Sequence, residues 1–390
     1  MKSFAIQLLT TLSLACNPQK SKCTVGDVDF ESIGKIHYRT PSYLELTTFG
    51  GEDTLLISEF NGSPWRWGSI AITRGLKEQV QSGSVDLDAT KLDPIDYKFE
   101  NPNRSQVVPS GIFPGEEVIL VPDGFSIPGH RDGGLYLMVM DSADVTKTKQ
   151  TIKLTEFIDN YWYHTVHWVD MNNDGRKDIL TSRTNQTKGG GQLVWFENPA
   201  SDPLGGQMWT EHVITSGPDV FTSIDTLAAY PNELIVWSPQ VKDERFVLYR
   251  VSLTDGSLVD SRIVDDNDIN LAGDGKRIGR AYSMTLVDLN GDGNQQLLCN
   301  NWEQDSSING YWLYEVPADL MSGTFVRKNL AMKFPMKWKY TFTEISGPGY
   351  PYLFYPDGNT STRAHILLNG HGNERLWLMT PTGNAADYEY

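Results

Sequence analysis

The residues best spaced for chemistry lie in "DMNNDGRKD", Asp170 to Asp178. Asp170, Asn172 and Asp174 alternate, so their side-chain oxygens can converge on one side of a turn. Arg176 would add its backbone carbonyl, Asp178 would close the shell, and Gly175 permits the tight bend. Hard cations such as Ca²⁺ take six to eight oxygen ligands, and a loop of this pattern offers them. A second stretch, "DLNGDGNQQ", repeats Asp288, Asn290 and Asp292 but has Gln296 where the first has Asp178. One charge fewer means weaker binding or an empty loop. The bland alternative is that Asp and Asn stand here for turn geometry alone. On the first reading Ca²⁺ is a structural ion, and no cofactor is called for in the chemistry.

Both loops sit between alternating apolar runs, and those runs define the fold. Helical periodicity is nearly absent, and short strands bounded by Gly, Pro, Asn and Asp dominate. The segment from His164, "HTVHWVDMNNDGRKDILTSRTNQTKGGGQLVWFENP", aligns with "YSMTLVDLNGDGNQQLLCNNWEQDSSINGYWLYEVP" from Tyr282. Weaker copies start near residues 42, 116, 220 and 350. A spacing of roughly 55 to 70 residues suits four strands and their turns, one propeller blade. The expected fold is all-β: a single β-propeller of six four-stranded blades, with five or seven still open. The strand "FESIGKIHY" (Phe30 to Tyr38) resembles the outer strands of the units, and the last unit lacks one. It is expected to complete the last blade and close the ring.

Residues 1–15 read as a secretory leader: one Lys, an apolar run and small residues before Cys16. The alternative is a lipoprotein anchored at Cys16. Residues 16–390 then form the propeller, secreted or lumenal. Four sequons, at Asn61, Asn103, Asn185 and Asn359, are candidate glycosylation sites. Three cysteines allow at most one bridge, Cys23 to Cys299, or free thiols. A net charge of −16 with no basic cluster argues against nucleic acid as a partner. No later segment is long and apolar enough to span a membrane. Oligomeric state is not legible.

The loop pattern resembles the FG-GAP (VCBS-type) repeat of integrin α-subunit propellers and of secreted lectin-like propellers. Two units match well and the others only in rhythm. The resemblance implies cation loops on the face opposite the ligand face, so function is sought at the other mouth. The mouth-side loops are aromatic and differ from unit to unit, which suits one asymmetric pocket for a small apolar or aromatic substrate. Candidate walls are Tyr163, Tyr282, Trp302 and Tyr340. Arg183 or Lys337 could donate to a substrate oxygen, and His164 could act as acid or base. Each has a plainer reading: aromatic residues pack between blades, and an arginine pairs with a nearby acid. His164 and His167, three apart on a strand, face opposite ways and are no metal pair.

Length, leader and asymmetric aromatic loops together resemble the fungal hetero-Diels-Alderases of tropolonic sesquiterpene biosynthesis. That resemblance implies a cofactor-free cycloaddition between a tropolone-derived ortho-quinone methide and a humulene-type alkene. A lectin-like carbohydrate-binding propeller and an adhesion module are the competing readings.

Overall fold

A computed structural model describes residues 22–25, 28–31, 34–38, 41–59, 66–125, 133–156, 158, 161–185, 190–219, 221–267, 277–303, 305–334, 347–356, 358–359, 361–368, 377–382 and 388, with side chains from residue 35 onward. Among the described residues the chain is all-β apart from one short helix, Leu76–Ser82. Six antiparallel blades stand in a propeller arrangement. Their first strands are Pro41–Phe49, Gln106–Val107, Tyr161–Val169, Ser223–Asp225, Ala281–Val287 and Pro351–Phe354. Each first strand lies at one end of its sheet, and later strands add outward in chain order. Blades one to five have four strands, and blade six has three among the described residues.

Among the described residues no N-terminal strand pairs with blade six. Phe30 falls in Val28–Glu31, which pairs with Lys22–Val25, whereas Gly34–His37 runs parallel to Val85–Asp88 beside blade one. The reason is apolar placement. Ile36 and Tyr38, two apart on one face, pack with Leu55, Ile57, Leu76 and Val85.

The core lies between the blades. Ile119, Val121 and Met138 of blade two pack on Leu56, Ile70 and Ile72 of blade one. Phe246 of blade four lies edge-on to Trp312 and Tyr314 of blade five. Each buried ring of this kind contributes roughly 1.5–3 kcal/mol. Cys299 is a free thiol inside this second cluster, so the Cys23–Cys299 bridge is not made. Burial pushes its pKa well up, which keeps it a protonated apolar filler.

Candidate functional site

Side-chain links join the first strands around the ring. Gln106 Nε2 donates to the Val166 carbonyl (3.1 Å), and His167 Nε2 donates to the Thr222 carbonyl (3.0 Å). Ser223 Oγ donates to the Met284 carbonyl (2.6 Å), and Thr285 Oγ1 bonds the Tyr350 hydroxyl (2.9 Å). The Tyr43 and Tyr352 hydroxyls are electrostatic neighbours across blades one and six. Ser58 Oγ donates to Ser105 Oγ (3.0 Å) and joins blades one and two. These links ring the axis of the propeller, its bore, where Trp162 and Phe221 pack with Tyr43, Phe125 and Tyr282.

Aromatic rings line the bore as one connected chain. Phe125 meets Trp162 at 5.3 Å between centroids, Trp162 meets His164 at 5.7 Å, and His164 meets Phe221 at 3.9 Å. Phe221 lies edge-on to Tyr282 at 4.8 Å, and Tyr282 stacks with Trp302 at 6.1 Å. Phe221 also reaches Tyr350 at 6.0 Å, which in turn reaches Tyr352 at 5.5 Å. Three expected site residues, His164, Tyr282 and Trp302, are therefore brought together from blades three and five. Phe221, from the approach to blade four, is the ring between His164 and Tyr282.

Two arginines stand against these rings: Arg280, over the Trp302 ring at 5.1 Å and paired with Glu303, and Arg104. The Arg104 guanidinium lies 5.3 Å from the Tyr43 ring centroid, within cation–π range. Tyr350, Tyr352 and Glu45 are its other electrostatic neighbours. Among the described residues, no hydrogen bond or ion pair holds the guanidinium. The loop that carries it is fixed. Asp123 accepts the Glu100 and Asn101 N–H groups (2.8 Å each), and the Asn103 side-chain amide donates to the Gly124 and Tyr163 carbonyls. The segment leading to Tyr350 is held as firmly: Asn300 Nδ2 donates to the Pro348 and Gly349 carbonyls, and the Tyr311 hydroxyl to Gly349.

The surroundings tune the titrating groups. Burial raises Glu45 to about 7, partly offset by the attraction of Arg104. Burial, with repulsion from Arg104, lowers His164 to about 3. Burial also lowers His167 to about 4, against the raising effect of its hydrogen bond to Thr222. Both histidines are neutral at pH 7. His164 Nδ1 is buried without a hydrogen-bond partner among the described residues, so its ring serves as a wall with one unused polar atom.

Other expected site residues stand elsewhere. Tyr163 is buried between blades two and three, because it neighbours His164 on a strand and must face the other way. Arg183 is buried in blade three. It donates twice to Glu211 (2.8 Å each) and twice to Gln192, and its guanidinium covers the Tyr161 ring. Its charge is consumed there, so it is no substrate donor. Lys337 and Tyr340 lie outside the described residues.

The Asp170–Asp178 turn joins the first two strands of blade three, as expected. Its oxygens serve the backbone: Asp170 accepts from the Asp174 and Gly175 N–H groups, and Asp174 from that of Arg176. Asn172 accepts from the Asp174 N–H, and the Arg176 guanidinium pairs with Asp174. Asp178 is fully buried, with one oxygen on the Met171 N–H (2.8 Å) and the other on the Asn198 N–H (2.9 Å). In the second turn Gln296 takes the matching bond, from the Leu289 N–H (3.0 Å). Among the described residues no three His, Cys, Asp or Glu side chains are grouped to hold a metal ion. The turn is closed by its own amides and by Arg176, which stands beside Asp174 where a bound cation would bring charge.

Two expected glycosylation sites are corrected. Asn103 and Asn185 are buried, and Asn103 has its amide committed to two carbonyls, so neither can carry a glycan outside the body. Asn359 is exposed, and Asn61 lies outside the described residues.

Two grooves lie apart from the bore. One, of about 270 Å³, touches Tyr161, Gln192 and Arg245; the other, of about 920 Å³, touches Tyr38, Glu59 and Trp67. Neither is lined by Arg104 or by the chain of aromatic rings.

No protein-family model matches this chain, and no curated protein matches it. Several solved propeller and enzyme structures are distantly similar. The Dos1 propeller has a TM-score of 0.44 at 10% identity over 83% of this chain and 63% of that one, so the chain spans less than two thirds of it. A luciferin-regenerating enzyme has a TM-score of 0.44 at 9% identity, covering 87% of this chain and 95% of that one. A subtype N10 neuraminidase-like protein of A/little yellow-shouldered bat/Guatemala/060/2010 has a TM-score of 0.41 at 13% identity, covering 86% and 95%. Likenesses this distant carry no argument about what the chain does.

Proposed function

We propose that the chain is a cofactor-free enzyme whose active site is the central bore, joining two apolar partners by an intermolecular hetero-Diels-Alder reaction. The partners are a tropolone-derived ortho-quinone methide and a humulene-type sesquiterpene. The observation that carries this reading is the unpaired guanidinium of Arg104 among the bore aromatics. An aromatic enclosure can hold two reactants near attack geometry, which recovers much of the entropic barrier. A fixed donor at the tropolone oxygen stabilises charge that develops there as the new bonds form. Arg104 fills the role that the sequence suggested for Arg183 or Lys337. Trp302, Tyr282, Phe221 and His164 are the walls.

The lectin reading is weaker on one specific count. A lectin propeller repeats its site from blade to blade, whereas the bore draws two arginines in unlike settings and unlike aromatics from different blades.

The test is direct. Purified protein is incubated with a tropolone carbinol and humulene, and the adduct is followed by chiral chromatography. A single stereoisomer, lost in Arg104→Gln and in Trp302→Ala, is the expected result. A racemic adduct at the background rate, together with selective binding on a glycan array, would replace this reading with the lectin one.

A further inference from the structure

We infer that the bore is an anion-binding site for a planar carboxylate or enolate, and that each binding event brings a proton onto Glu45. The inference rests on reading the bore as the binding site, not on the cycloaddition. The first ground is Arg104. Among the described residues this desolvated cation has no hydrogen bond or ion pair, which is costly, and it stands in a chain of net charge −16. Its ring contact with Tyr43 leaves the N–H fork without a partner among the described residues. That fork matches two coplanar oxygens. Burial keeps the Tyr43 and Tyr352 hydroxyls protonated, so neither is a competing anion.

The second ground is Glu45, two residues beyond Tyr43 on the same strand. No hydrogen bond or ion pair engages its carboxyl among the described residues. Among the described residues its only charged neighbour is Arg104. His164 and His167, from blade three, also feel Arg104 but are neutral and add no positive charge. In the free site, Arg104 and an ionised Glu45 balance each other. An arriving anion takes Arg104, leaving Glu45 desolvated beside a like charge. The carboxylate then takes one proton from solvent, so the complex gains one anion and one proton together. Glu45 titrates near 7, so the exchange falls in the neutral range.

The probes are benzoate, which stays an anion throughout, and benzamide, its neutral isostere. Binding is measured by calorimetry at about pH 6 and about pH 8, in buffers of different ionisation enthalpy. Benzoate should bind about tenfold more tightly at the lower pH, with close to one proton taken up at the higher pH. Benzamide should bind weakly and without pH dependence. Glu45→Gln should bind benzoate equally at both pH values, and Arg104→Gln should lose the preference for benzoate. Equal affinity for the two probes would overturn the anion site, as would benzoate binding that tightens with rising pH. A pH slope unchanged in Glu45→Gln would overturn the role of Glu45. Should Arg104→Gln not fold, the two probes on wild-type protein still decide the anion site. Benzoate binding without adduct formation would sink the proposed reaction and leave this inference standing.

Discussion

Arg104 lies over the ring of Tyr43, 5.3 Å from its centroid, and does not pair with Glu45, which follows on the same strand. Arg183, by contrast, is tied to Glu211 by two hydrogen bonds of 2.8 Å. One arginine is available to a ligand, and the other is part of the frame.

The two should therefore fail differently. Arg104→Gln should lower turnover in the cycloaddition assay by about 10²- to 10³-fold, the usual loss on removing one oxyanion donor. Its melting temperature should stay near the wild-type value, since no hydrogen bond is lost. Arg183→Ala should cost about 3 kcal/mol in chemical denaturation, because it strands Glu211 and Gln192, and its folded fraction should keep wild-type turnover. Equal activity loss in both variants, at unchanged stability, would contradict this assignment.

The turn after the first strand of blade three gives a second prediction. Asp178→Ala leaves the Met171 and Asn198 N–H groups without acceptors and should cost about 2–5 kcal/mol. The drop should be the same in EDTA and in millimolar calcium, because the turn's closing bonds run to backbone amides. A wild-type melting temperature that rises strongly with calcium, and an Asp174→Ala variant that no longer responds, would show that a cation displaces Arg176 from Asp174.

Glu45 sets an alkaline trend. Its folded pKa, about 7, stands above the ordinary 4.5. Its contribution is fully present below pH 4.5 and is lost as pH rises through about 7. The melting temperature of wild type should fall across that window relative to Glu45→Gln, and the two curves should run parallel outside it. Parallel curves throughout would mean that Glu45 titrates normally.

His164 sets the opposite trend. Its folded pKa, about 3, lies below the ordinary 6.5. The unfolded chain therefore gains the proton first, and stability falls as pH drops from 6.5 toward 3. His164→Phe should soften acid unfolding and leave the neutral-pH melting temperature within about 2 °C, as expected for an apolar ring in an aromatic wall. Loss of an activity inflection near pH 6.5 in that variant would instead mark the imidazole as a proton carrier.

The fold was readable because a pleated strand repeats every two residues and each blade repeats the whole pattern. The site was readable only in part. Trp162 and His164 alternate toward the bore, so strand periodicity alone places Tyr163 on the other face. Arg104 was harder to see. It is the middle residue of Asn103-Arg104-Ser105, which reads as a sequon, and the first strand of blade two that follows it is just Gln106–Val107. A two-residue strand has no period to detect. Tyr43 and Glu45 sit at alternate positions of a visible strand, but their meeting with Tyr352 depends on how six blades close. That is a long-range fact which no local pattern carries.

The seam between blades six and one shows no shared apolar cluster among the described residues, and the Tyr352–Tyr43 hydroxyl contact spans it at the bore. A molecule lodged against both tyrosines would act as a rivet between the first and last blades. Amide exchange along Pro41–Phe49 and Pro351–Phe354 should then slow together when the bore is filled, even though these strands lie some three hundred residues apart in the chain.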